Sequence, residues 1–181
     1  MRKLVLGLFV VLLAVACGNK AELDKDVEQK IIAYEDSLAN MVRNPLTHQQ
    51  SEDFIDKYID VLEKAVKKAP KNVNAPTYMD RLHMLASAKR DLKKSLEYGE
   101  RIIKDYPDYP NRPMVLKSLA YTYDAEVQPR DTAKVRKYYT IYLEENSGID
   151  VDEKDMIDKR LLMLHVPFDN FLILEQSLTE K

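Results

Sequence analysis

The sequence predicts an all-α protein built as a stack of helical hairpins. Three observations predict it. First, three segments share one apolar spacing and end alike: FIDKYIDVLEKAVKKAP (54–70), DLKKSLEYGERIIKDYP (91–107) and DTAKVRKYYTIYLEENS (131–147). Second, the stretches between them again carry apolar residues three and four apart, the period of a helix with one buried face. Third, glycine occurs only 4 times in 181 residues. A β-sandwich with Gly-rich turns is disfavoured by that scarcity, and Gly7, Gly18, Gly99 and Gly148 never cluster into a phosphate-cradling loop. The 45% hydrophobic content suffices for a core. With 28 basic against 30 acidic residues, net charge −2, the chain lacks the basic excess that holds a protein on nucleic acid.

The first element, residues 1–16, reads as an address. Met1-Arg2-Lys3 is a basic start, and Leu4 to Ala16 follows as 13 apolar residues. That is too short to cross ~30 Å of hydrocarbon as a helix, and the pattern is that of a secretory signal peptide. It ends Leu13-Ala14-Val15-Ala16-Cys17. This resembles the lipobox of bacterial lipoproteins, with Ala14 where Leu is more usual. The resemblance implies that Cys17, the one cysteine of the chain, carries a diacylglycerol thioether and an acylated amine. One acyl chain anchors only marginally, and several hold firmly. Residues 17–19 would be the lipidated Cys and a short tether. No Asp follows Cys17 directly, so the expected address is the outer membrane, and because the first acid behind the cysteine is Glu22, with basic Lys20 before it, the expected side is the periplasm.

Residues 20–69 are expected to form a divergent first hairpin. Leu23, Val27, Ile31, Tyr34, Leu38 and Met41 draw one stripe along a helix. Asn44-Pro45 stops it, and Ser51 is placed to cap the next helix, 51–69. Residues 70–149 then hold two repeats. Pro76 opens a helix with Met79, Leu82, Leu85 and Ala86 on one side, and Pro113 opens another with Leu116, Leu119, Ala120 and Tyr123. Proline suits a helix start, where its missing N–H is no loss. Counted back from Pro70, Pro107 and Ser147, the second helices place Tyr58, Ser95 and Val135 in register, then Leu62, Gly99 and Tyr139, then Ala65, Ile102 and Tyr142. Residues 150–181 read as a capping helix, with Met156, Ile157, Leu161 and Leu164 on one face, and a tail. In that tail Phe168, Phe171, Leu172 and Leu174 fold back onto the capping helix; an exposed partner-binding tail is the alternative.

This unit of helix, turn, helix and Pro-rich turn resembles the tetratricopeptide repeat, whose period is 34 residues. Its Leu is kept at Leu82 and Leu119, and its small residue at Ala120 but not at His83. Met79 and Leu116 replace its early aromatic. Extra residues fall in turns, Pro107 to Pro113 and around Val127-Gln128-Pro129. The segment RIIKDYPDYPNRPMVLKSLAYTYDAE, with AYEDSL at 33–38, is similar to tetratricopeptide lipoproteins of Bacteroidota. The resemblance implies an α-solenoid on an outer-membrane anchor.

A catalytic constellation is not legible. His48, His83 and His165 are scattered, without HExxH or paired ligand spacing. Ser37, Ser51, Ser87, Ser95, Ser118, Ser147 and Ser177 lack the Gly flanks of a nucleophile elbow. Glu35-Asp36 and Asp152-Glu153 read as solvated faces and helix-dipole partners. The expectation is therefore a protein without enzymatic activity, cofactor or metal. Its partner is an unidentified envelope protein or peptide segment, and it touches the membrane through Cys17 and binds no nucleic acid. The groove made by the first helix of each pair would carry Thr77, Asp80, Met84 and Ser87, then Met114, Lys117, Tyr121 and Asp124. Met84 and Tyr121 lead, because Met and aromatics are enriched where proteins touch. Two alternatives are an accessory role in outer-membrane β-barrel assembly and a glycan- or ligand-binding envelope lipoprotein.

Overall fold

The computed structural model describes residues 22–43 and 52–179. The signal peptide, Cys17, the 17–19 tether, Asn44-Pro45, His48 and Ser51 lie outside them. Among the described residues the protein is all-helical, with eight α-helices and no strand.

Two helices precede the repeats, α1 (Lys25–Arg43) and α2 (Glu52–Lys68). Then come α3 (Ala75–Ala88), α4 (Leu92–Asp105), α5 (Arg112–Tyr121) and α6 (Thr132–Glu145). The chain ends with α7 (Val151–Leu162) and α8 (Phe168–Thr179). From α1 to α7 each helix packs on the next in sequence. Connections of a few residues make such neighbours antiparallel.

Local chemistry sets the boundaries. Asp91 and Asp131 cap α4 and α6, each accepting the N–H three residues on, from Lys94 at 3.1 Å and Lys134 at 3.0 Å. Pro76 and Pro113 sit one residue inside α3 and α5, behind Asn74 and Asn111 at the cap positions. The α5 spiral does not stop at Tyr121. It widens into a π-helical turn over Thr122–Glu126, and this turn is packed under α8.

The core runs the length of the stack. All nine positions aligned across the second helices are buried, Tyr58, Leu62, Ala65, Ser95, Gly99, Ile102, Val135, Tyr139 and Tyr142. So are Met79, Leu82 and Ala86 of α3, Leu116, Leu119 and Ala120 of α5, Val27 and Ile31 of α1, and Leu23 just before it. The stripe predicted for the capping helix, which is α7 and the turn after it, needs correction at one place. Ile157 and Leu164 are buried, but Met156 is exposed and the inward place belongs to Arg160.

Tyrosines join successive pairs. Glu63 of α2 accepts hydrogen bonds from the Tyr98 hydroxyl and, at 3.3 Å, from Lys94 of α4. Glu100 of α4 accepts from Tyr138 at 2.9 Å and Lys134 at 2.7 Å of α6, and from Tyr123 at 2.8 Å. The same clasp thus recurs one repeat along. Where no further repeat follows, Thr140 stands in the glutamate position, and where none precedes, Val61 stands in the tyrosine position.

Candidate functional site

Two adjoining hollows form one groove. The first, 550 Å³, is lined among others by Asp80, His83 and Met84 of α3 and by Met114 and Ser118 of α5. The second, 420 Å³, lies between α5, α7 and α8, with Met114, Ser118, Tyr121, Met156, Phe168 and Leu172 in its wall. They share Met114 and Ser118, so the groove runs on from one to the other.

Helical spacing builds its outer wall. Met84 is 55% exposed, Met114 52%, Tyr121 44%, Met156 45% and Leu172 40%. Large apolar side chains so exposed and so close together are unusual on a monomer and mark contact surfaces. Methionine adds adaptability, since its unbranched chain repacks around different shapes.

The three charged residues expected in this groove fare differently. Asp80 lines it but is buried, holding the Tyr109 hydroxyl at 2.9 Å and Asn111 Nδ2 at 2.7 Å. Those bonds tie α3 to the turn before α5. Lys117 lines the second hollow and pairs with Glu153 of α7 at 2.7 Å. With that pair and the Tyr142 hydroxyl, Glu153 lies below the usual carboxylate range. Asp124 must be removed from the groove. It lies in the π turn and is 2% exposed. Arg160 grips it with two bonds, Nε to Oδ2 at 2.6 Å and Nη2 to Oδ1 at 2.8 Å, and Arg130 stands 3.4 Å away.

That buried ion pair fixes the tail. Arg160 also donates to the carbonyls of Met163 and Val166, each at 2.9 Å, and Arg130 donates to Leu164 and Val166. The guanidinium of Arg160 lies 4.9 Å from the ring centre of Phe171. Phe168 meets Tyr121 edge-on at 5.4 Å. The tail is therefore a helix seated on α7 and the π turn, not a loose extension. Phe168, Leu172 and Met156 were missed as groove residues because they were counted with the capping core. No pattern in the chain separated them from it.

The histidine expected in α3 is a structural one. His83 is buried between repeats, and its Nδ1 faces the Ser95 carbonyl at 2.8 Å. A carbonyl only accepts, so Nδ1 carries a proton, and Nε2 is hydrogen-bonded to the Ser118 hydroxyl 2.9 Å away. Thr77 lines a separate cleft of 810 Å³ between the turns at 70–76 and 105–111, walled by Pro70, Pro107, Tyr106 and Tyr109. Both of its tyrosine hydroxyls serve the fold, Tyr106 on the Pro70 carbonyl at 2.9 Å and Tyr109 on Asp80. Burial, with Asp80 beside it, pushes the Tyr109 hydroxyl up to about 12.

Among the described residues no group of three or more His, Cys, Asp or Glu is arranged to hold a metal ion. None of the described helices is long and apolar enough to cross a membrane. No known family model, characterised protein or solved structure matches the chain.

Proposed function

We propose that this chain is a non-catalytic interaction module of the bacterial cell envelope, a tetratricopeptide-like solenoid of three hairpins with a capping helix. In this reading lipid chains on Cys17 hold it at the outer membrane, facing the periplasm, and the groove docks a partner protein. One observation carries the proposal: Met84, Met114, Tyr121, Met156 and Leu172 form an exposed apolar strip on a scaffold whose charged groove residues already have internal partners. Burying such a strip is favourable by about 25 cal/mol per Å² of apolar surface before association entropy is subtracted. The lipobox-like segment supports the address, and the repeating hairpins support the class.

Crosslinking in intact cells, followed by identification of what comes down with the anchored protein, tests the reading. Met84→Ala together with Tyr121→Ala is expected to abolish recovery of the crosslinked partner without lowering helicity, since both side chains are about half exposed. Unchanged recovery from the double variant refutes the groove as the docking site.

A further inference from the structure

We infer that the groove takes an amphipathic α-helix of a partner protein, laid beside α8 and held by apolar side chains alone. The inference rests on the docking role proposed above and names the chemistry of what docks.

The protein already seats a helix of its own there, α8. In α8, Phe168, Phe171 and Leu172 fall at i, i+3 and i+4, one face of a helix. Phe171 is 1% exposed beneath Arg160, and Phe168 packs edge-on against Tyr121. Leu172 stands with Phe168, Met114 and Met156 in the wall of the second hollow and remains partly exposed. So α8 fills one flank of the groove and leaves the other open, with its own apolar edge forming part of the seat.

Hydrogen bonding decides between a helix and an extended peptide. An extended strand brings unpaired N–H and C=O groups that need partners once water leaves. The second hollow, beside α8, is walled mainly by Met, Ile, Leu and aromatic rings and offers them few. A helix satisfies its backbone internally and presents only side chains, the helix-in-groove mode of recognition. Charge points the same way. Lys117 is on Glu153, Asp80 on Tyr109 and Asn111, and Arg160 on Asp124. Among the described residues that line the groove, these charged side chains are already paired and none is left over to clamp a terminal carboxylate or an acidic side chain.

The test uses the full chain and a fluorescent peptide of about 18 residues, roughly five helical turns. The probe carries Leu and Phe at i, i+3, i+4 and i+7, with Ala and Gln elsewhere. One control scrambles the apolar positions, and a second keeps them but is interrupted by Pro. Fluorescence anisotropy is expected to show the probe binding at least about tenfold tighter than either control, a difference of about 1.4 kcal/mol. Affinity is expected to change less than about twofold between roughly 0.05 and 0.5 M salt, a range over which screening of ion pairs is strong. Met114→Gln with Met156→Gln is expected to weaken binding at least about tenfold. Both residues are about half exposed, and if the pair melts early, Met156→Gln alone serves. Equal binding of the Pro-interrupted peptide, steep salt dependence, or indifference to the methionine changes overturns the inference. So does a dimer in sedimentation that Met114→Gln dissociates, which assigns the groove to a second copy. A crosslinked partner lost from the Met84/Tyr121 variant, alongside a probe that does not bind, fails this inference and leaves the docking role standing.

Discussion

Two residues exchange size across the contact between α3 and α4. The tetratricopeptide pattern that the sequence resembles has a small residue where His83 stands, and the structure supplies the space from the other side. A Cβ built on Gly99 would lie 2.8 Å from Leu119 Cδ2 and 3.2 Å from His83 Nδ1. In the next repeat the pair is reversed, with Ala120 in the histidine register and Tyr139 in the glycine register. The glycine is there for close approach, not for backbone freedom. Gly99→Ala is expected to overpack this contact and cost about 1–3 kcal/mol, read as a lowered midpoint in urea unfolding. A cost below about 0.3 kcal/mol would show that Leu119 moves aside freely. Each residue was visible in the chain, but their compensation was not. It depends on which side chains meet across a turn, and one helix's periodicity does not specify that.

At the scale of the element, amphipathic spacing located α1 to α7, and α1 to α6 match their expected spans to within a few residues, whereas the segment read as an apolar tail is the helix α8. Burial follows the 3.6-residue period there because packing against a neighbour is what holds these helices. The expectation failed where the period itself changes. Asp124 falls on the groove face of a regular α-helix, but Thr122–Glu126 is a π turn with a wider winding, which rotates Asp124 inward. Its partner Arg160 lies 36 residues on, and no local spacing announces the pairing. Seating α8 is the consequence of that pair. Arg160→Met leaves Asp124 buried with only Arg130 near it, so a loss of about 3–5 kcal/mol is expected. Adding Asp124→Leu to Arg160→Met removes the stranded charge and should return much of that loss. Urea unfolding reads both, and limited proteolysis should find the 163–167 turn cut in the single variant first. A single variant as stable as the parent would mean that the pair does not hold α8.

For the whole molecule, the tyrosine clasps give the stack a direction: each pair reaches back with Tyr and Lys to a glutamate on the pair before it. In repeat arrays stability is a sum of units and of the interfaces between neighbours, and these clasps belong to the interfaces. Glu100 is the fullest case. Burial works to raise its carboxyl, but the hydrogen bonds from Lys134, Tyr123 and Tyr138 outweigh it and leave the group below its ordinary 4.5. A carboxylate whose folded value is depressed adds stability that is present above its unfolded value and is lost as pH falls through the folded one. The Glu100 contribution should therefore be intact at neutral pH and fade below pH 4.5. Glu100→Gln keeps an acceptor oxygen and discards the charge. Its midpoint in thermal unfolding is expected to lie below that of the parent at pH 7. The gap should narrow as pH is lowered through and beneath 4.5, because protonation makes the parent resemble the variant. Solvent reaches this carboxylate, with 36% of its side chain exposed, so the effect is screened and only its sign and pH window are predicted. A gap that stays constant from pH 7 to about pH 3 would show that the charge on Glu100 does not join the repeats.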